Sequence, residues 1–359
     1  MVKYIGSKRL LAPRIVAAFR ALPGVRSVAD PFSGTARVGH ALKRAGFEVH
    51  ASDYLRFAST LARCYVAADA TVWADSARAL IANLQRVPPE AGYVTETFCT
   101  RSRYFRPENG AKVDAIRAEI ARLRLEPDLE AIALVSLMEA ADRVDSTTGL
   151  QMAYLKGWAP RALNPLELRL PAILPGVGYV REGLAEALAP ELEVDAAYLD
   201  PPYNQHSYLG NYHIWETLCR WDTPAAYGTA CKRVDVRTRK SRFNSKRHIR
   251  AALQEVVDGL RCPWIVASFS DEGFLAADDV KDLLSSRGHV AVVEVSFKRY
   301  VGAQIGIHNQ LGEKVGEVSH LHNTERLFVA GPDRASVEAA ARAAGASSPA
   351  GEAQEALPL

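Results

Sequence analysis

The chain has 359 residues, a formal net charge of +3 and 48% hydrophobic residues, enough for one large α/β domain with an insertion or for two domains of an ordinary soluble globular protein. No apolar run of about 20 residues suggests a membrane span, and the opening Met1-Val2-Lys3-Tyr4-Ile5-Gly6-Ser7-Lys8 lacks the apolar core of a signal peptide. The five cysteines (Cys64, Cys99, Cys219, Cys231, Cys262) form no CxxC pair, and His320 and His322 have no matching cluster, so neither a metal site nor a disulfide framework is expected and a reducing cytoplasm fits.

In chain order, Ser27–Asp30 reads as a short buried strand, Phe32-Ser33-Gly34-Thr35-Ala36 as a turn, and 37–45 as a helix stopped by Gly46. Glu48–Asp53 is a second strand ending in an acid. Strand, small-residue turn, helix and strand ending in Asp is the opening βαβ unit of a doubly wound sheet. The turn is not GxGxxG, so a dinucleotide is a poor fit; a single glycine admits a ligand without a pyrophosphate. Asp53, about twenty residues on, stands where an acid takes ribose hydroxyls. S-adenosylmethionine has a ribose and no phosphates, and satisfies both observations.

The middle of the chain differs. Helical periodicity covers 75–87, 111–125 and 128–142, and no strong strand pattern interrupts 55–173. Prolines 160, 165, 171 and 175 punctuate its end. Strands resume at 177–181 and 196–200, followed by 264–268, 290–297 and 325–329, with helices at 212–220, 248–260 and 277–286 between them. Residues 298–321 read as a glycine-containing hairpin or long loop. The expected organisation is an α/β, Rossmann-like doubly wound sheet from 1–70 and 176–332, a mostly helical insertion at 71–175, and an Ala-rich, partly disordered tail at 333–359.

Asp200-Pro201-Pro202-Tyr203 follows the apolar strand Ala196–Leu199. Asp200 and the Pro201 carbonyl can each accept a hydrogen bond from an exocyclic amine, and Tyr203 can stack on a flat heterocycle. The prolines, Pro202 included, remove backbone donors and fix φ, so the acceptors are pre-aimed. The plainer alternative is a Pro-rich turn with no chemistry. Between Lys232 and Arg250 nine Lys/Arg face one acid, Asp235. The ordinary reading of such a run is a solvated loop. Interleaved Thr238, Ser241, Asn244 and Ser245 suit phosphate oxygens, which favours double-stranded DNA as partner, with Arg237, Arg239, Lys240, Arg242, Asn244 and Lys246 as contacts. Arg101-Ser102-Arg103-Tyr104-Phe105 is either a DNA contact or a capped loop, and Tyr154, Lys156 and Trp158 lie in a stretch able to enter a groove.

Lys3-Tyr4-Ile5-Gly6-Ser7-Lys8, Asp30-Pro31-Phe32-Ser33-Gly34 and Asp200-Pro201-Pro202-Tyr203, in this order, resemble the D12 class of adenine-specific DNA methyltransferases, the Dam-like enzymes of the alpha arrangement. Asn204-Gln205-His206-Ser207-Tyr208, Asn211-Tyr212-His213 and Arg299-Tyr300-Val301-Gly302-Ala303-Gln304 resemble one branch of that class. The resemblance implies site-specific transfer of a methyl group from S-adenosylmethionine to N6 of a flipped-out adenine. It makes the helical insertion a target-recognition region. Tyr4 and Lys8 would border the cofactor's methionine end, Asp30, Phe32 and Gly34 its binding turn, and Asp53 its ribose. Glu182 is the candidate acid for the cofactor's adenine, or else a surface residue. Ala36 stands where many relatives carry glycine, a change its small size should tolerate. N4 of cytosine, an adenine in RNA, and a non-catalytic regulator keep the same fold and stay open at this level. The resemblance also implies a prokaryotic cytoplasm, association with the nucleoid through DNA, and room for a separately encoded restriction endonuclease.

Overall fold

The computed structural model describes residues 1–6, 8–298, 307–308, 314–316 and 322–347. The 299–304 stretch, most of the expected 298–321 hairpin and the tail beyond 347 lie outside the described residues. Seven strands make one sheet: β1 (Ser27–Asp30), β2 (Glu48–Asp53), β3 (Tyr179–Glu182), β4 (Ala196–Leu199), β5 (Trp264–Ser270), β6 (His289–Lys298) and β7 (His322–Gly331). Their spatial order is β3-β2-β1-β4-β5-β7-β6. All neighbours run parallel except β7, which is antiparallel to both β5 and β6.

Strand alternation explains why both faces are covered. Val28, Val49, Tyr198, Val266 and Leu327 point to one side and join Ile15, Phe19, Leu42 and Phe57 in one core. Ala29, Ala197, Leu199, Ile265, Ala267 and Phe328 point to the other and join Leu253, Val256 and Leu283. The first core holds helices α1 (Ala12–Ala21), α2 (Arg37–Arg44) and α3 (Arg56–Ala62).

Between β2 and β3 the chain builds α4 (Ala70–Arg86), α5 (Pro107–Leu123) and α6 (Pro127–Arg143). Each begins earlier than periodicity alone predicts, because the start is set by local chemistry. The Asp69 side chain accepts from the Thr71 amide and caps α4, and prolines open α5 and α6. Apolar periodicity sees none of these residues. α6 is buried almost all round, from Ala131 to Asp142, and forms the axis on which α3, α4 and α5 pack. Short α7 (Ala185–Leu188) and α8 (Tyr208–Asn211), then α9 (His213–Arg220), α10 (Ile249–Gly259), α11 (Ala277–Ser285) and α12 (Arg334–Ala346) complete the elements.

The N-terminal segment is strapped to the end of α6. The Lys3 amide donates to Asp142 Oδ2 at 3.0 Å, and its ammonium donates to the Asp142 carbonyl at 2.7 Å and to Asp145 Oδ1 at 2.9 Å. Burial pushes the Asp142 carboxyl up to about 6, and Lys3 opposes that rise. Asp145 also takes the Arg161 guanidinium at 2.6 Å. Lys3→Met removes the donor of two bonds to this buried pair and is expected to cost about 1–3 kcal/mol in urea unfolding. An unchanged denaturation midpoint would show that the strap contributes nothing.

Candidate active site

The carboxyl ends of β1, β2 and β4 open onto one cleft. It lies where the strand order reverses between β1 and β4, the position at which open α/β sheets bind ligands. Its walls include Tyr4, Lys8, Asp30, Phe32, Gly34, Asp53, Tyr198, Asp200, Pro202, Tyr208 and Phe243.

One wall is the turn after β1. Gly34 has φ +50°, and a Cβ there would stand 3.4 Å from the Tyr4 hydroxyl, so glycine serves both the backbone and the close approach of Tyr4. Ala36 also adopts a left-handed conformation, φ +58°, at the start of α2. That conformation is one that favours glycine. Asp53 accepts the Gly34 amide at Oδ2 and the Leu55 amide at Oδ1, both at 3.0 Å. These bonds fix the carboxylate at the cleft and leave each oxygen able to accept again. Burial pushes Asp53 up to about 6 against those two amides.

Tyr4 stacks with both Tyr208 (ring centroids 5.0 Å apart, 4° between planes) and Tyr212 (4.6 Å, 14°), whose own centroids are 6.5 Å apart. The Ile5 amide donates to the Tyr212 hydroxyl at 2.6 Å. The next charged residue, Lys8, lines the cleft. Its ammonium stands 3.1 Å from Asp200 Oδ1 and is ion-paired with Glu325 of β7. Asp200 Oδ1 also accepts from the Ser268 hydroxyl at 3.1 Å, which bonds the Tyr198 hydroxyl at 2.7 Å. Burial pushes Asp200 up to about 6, with Lys8 holding it down and Glu325 pushing it up. Tyr203 lies near this group, with Lys8 5.7 Å from its ring centroid and Phe269 beside it.

The other candidates divide. Glu182 does not line the cleft. β3 is an edge strand, and the Glu182 carboxylate turns outward to Arg56 at 2.7 Å. The acid that lines the cleft from this segment is Glu186, on α7. Of the expected DNA contacts, Arg239 is held by Glu216 at 2.9 Å and Asp235 at 3.2 Å, and Arg242 by Glu255 at 2.7 Å. The Asn244 amide donates to the carbonyls of Asn204 and His206 at 2.8 and 3.0 Å, tying the basic segment to the loop after Tyr203. Arg237 stacks over Tyr227 at 4.0 Å. Lys240 and Lys246 are exposed and form no ion pair among the described residues, as is Arg247, which the sequence reading left out of the contact set. Tyr104 and Phe105 are core residues, while Arg103 stacks on Trp158 at 4.7 Å. The sequence reading missed Glu325, Ser268, Tyr208 and Phe243. Only Tyr208 stood in a stretch with a motif signal.

Asp30 is 1% exposed, and its Oδ1 has no hydrogen-bond partner. Burial, with Asp200 and Asp53 nearby, pushes its carboxyl up to about 8. A carboxyl protonated in the folded chain and ionised in the unfolded one contributes stability that is present below its unfolded pKa and lost as pH rises through about 8. Asp30→Asn is expected to flatten the decline in urea midpoint between about pH 4 and pH 8. Parallel midpoint curves for the two proteins would refute that ionisation cost.

The model of the D12 class N6 adenine-specific DNA methyltransferases matches residues 4–279. The chain is 27% identical over 342 residues to the type II methyltransferase M.NlaIII of Neisseria lactamica, covering 91% of this chain and all of that protein. It is 27% identical over 339 residues to the modification methylase StsI of Streptococcus sanguinis, covering 87% of this chain and 51% of that protein. It is 33% identical over 193 residues to the type II methyltransferase M.FokI of Planomicrobium okeanokoites, covering 52% of this chain and 29% of that protein. The chain therefore spans the whole of one relative, about half of the second and under a third of the third, and it belongs to the D12 class of N6 adenine-specific DNA methyltransferases.

Proposed function

We propose that this chain methylates N6 of a specific adenine in duplex DNA with S-adenosylmethionine as donor, through the residues of the cleft at β1, β2 and β4. The observation that carries the residue assignment is that Asp200 and the turn holding Gly34 and Asp53 share that one cleft. The cleft suits the donor on three grounds. Asp30 Oδ1 is a buried acceptor without a partner. Gly34 leaves space that a side chain would fill. Asp30, Asp53, Asp200 and Glu186 line the walls with acidic groups, which favours a ligand carrying a sulfonium and an ammonium. Asp53 would take the ribose, Phe32 and Gly34 the adenosine, Tyr4 the methionine end beside Asp30, and Glu186, rather than Glu182, the remaining polar edge.

S-adenosylmethionine, when bound, supplies a methyl group whose bond to sulfur breaks, the electron pair staying on sulfur, as the amine nitrogen's lone pair takes the carbon. The residues do the rest. A base inside the duplex cannot reach the cleft, so the target nucleotide must be extruded, at a cost of a few kcal/mol. Tyr203 offers a ring for stacking, worth roughly 1–3 kcal/mol per base. Asp200 and the Pro201 carbonyl accept the two N–H groups of the adenine amine, which draws its lone pair out of conjugation and aims it. Ser268 and Lys8 meet Asp200 at Oδ1. The amine proton lost after methylation passes to Asp200 or to water. Lys240, Lys246 and Arg247 supply phosphate contacts beside the cleft, and Arg239, Arg242 and Asn244 shape the segment that presents them. The helical insertion is the proposed target reader. A separately encoded restriction endonuclease is the proposed partner class, in line with the relatives' names as modification enzymes. No helix among the described residues is long and apolar enough to cross a membrane, which agrees with an enzyme working on DNA in the cytoplasm.

Modified-base sequencing of DNA from a host lacking adenine methylation tests the reaction. N6-methyladenine in one recurrent motif is expected with the wild type and none with Asp200→Ala, while cofactor binding persists in the variant. Wild-type turnover in Asp200→Ala would sink the assignment, and Tyr203→Ala should lose more activity than Tyr203→Phe. For the DNA face, replacing Lys240, Lys246 and Arg247 together by Ala should lower the slope of log affinity against log salt by about 2–3. An unchanged slope would remove those side chains from the interface.

A further inference from the structure

Glu325 has no part in the chemistry described above, and it does not line the cleft. It is 9% exposed and Lys8 is 6% exposed. Lys8 Nζ stands between two carboxylates, 3.1 Å from Asp200 Oδ1 on the cleft side and ion-paired with Glu325 Oε1 behind. Two buried carboxylates thus share one ammonium, leaving one net negative charge. Glu325 opposes Ser270 across the β5–β7 pairing and Val295 across the β6–β7 pairing, so its backbone is fixed on both sides.

We infer that Glu325 is a positioning residue for methyl transfer: it anchors the Lys8 ammonium from behind, so that Lys8 neutralises Asp200 without closing over the carboxylate that accepts from the target amine. This inference rests on Asp200 being the amine-holding group. An ammonium carries three donors on a flexible stem. Deprived of Glu325, it turns those donors on the remaining carboxylate. A charged donor outcompetes a neutral aromatic amine for the same oxygens, so Asp200 becomes occupied. Deprived of Lys8 instead, Asp200 is left buried opposite Glu325 and takes up a proton. The groups facing Asp200 are Lys8 from the N-terminal segment, Glu325 from β7, Asp30 at the end of β1, Tyr198 on β4, and Tyr203 and Tyr208 beyond it, with neutral Ser268 on β5. Those facing Glu325 are Lys8, Asp200 and Tyr203.

The test is single-turnover methylation of a duplex carrying the chain's own recognition motif, across the acidic and neutral range, with cofactor affinity measured by calorimetry. Glu325→Gln is expected to slow methyl transfer by about tenfold or more, to leave cofactor affinity within about twofold, and to move the acidic limb of the rate profile to lower pH. Lys8→Met is expected to move that limb to higher pH. Glu325→Asp, which keeps the charge, should return the limb toward its wild-type position. Glu325→Gln with a wild-type rate, or slowed variants whose acidic limbs stay in place, would overturn the inference and leave the proposed function standing. A folded wild type that transfers no methyl to DNA would overturn both.

Discussion

The ammonium of Lys8 is the point where three distant parts of the chain meet. It comes from the N-terminal segment, Asp200 from the end of β4, and Glu325 from β7. A lysine is rarely this buried unless its charge is matched, because removing an ion from water costs several kcal/mol. Here two carboxylates match it, and each of them would be costly to bury alone. Both carboxylates are tolerated because the ammonium stands between them, and the ammonium because they match its charge. The rest of the cleft is arranged around it. Ser268 and Tyr198 fix the oxygen of Asp200 that faces Lys8, and the Tyr4 stack and the Lys3 strap bring the N-terminal segment to the place where Lys8 can be delivered.

A second pattern is the concentration of carboxyls at one edge of the sheet. Asp30, Asp53 and Asp200 follow or end parallel strands that lie side by side, and burial raises all three. Such a cluster destabilises the empty fold and favours whatever cationic ligand relieves it. The energy held in that repulsion is available to binding, which is how sites that weaken a fold can strengthen a complex.

Much of this was legible in the linear chain, and the limits have physical causes. The parallel strands could be read because burial on both faces makes them short apolar runs, and their terminal acids marked the binding edge. The helical insertion could be read from period and from the absence of strands. Helix starts were misplaced because caps and prolines, not apolar spacing, set them. Glu182 stood out in the sequence because a strand end looks like a site, whereas an edge strand can turn its last side chain outward. The charge run at 232–250 marked the right segment but not the free side chains, since pairing with Glu216, Asp235 and Glu255 depends on folded geometry. Glu325 was hidden for a different reason. As the leading residue of a strand it would stand at the far edge of a parallel sheet. Only the reversal of β7 brings it to the edge where β5 ends, and strand direction leaves no mark in composition.

That reversed strand also sets an order of assembly. Lys8 and Glu325 are 317 residues apart in the chain. During synthesis the amino-terminal βαβ unit, the helical insertion and the Asp-Pro-Pro-Tyr loop all emerge before β7 exists, and domains begin to fold as they emerge. A nascent chain can therefore hold the whole Asp-Pro-Pro-Tyr loop while its lysine still lacks the second carboxylate. The cleft is completed from behind, by a strand that leaves the ribosome after the Asp-Pro-Pro-Tyr loop, so Asp200 gains its full charge environment in a later folding event than the one that forms its motif.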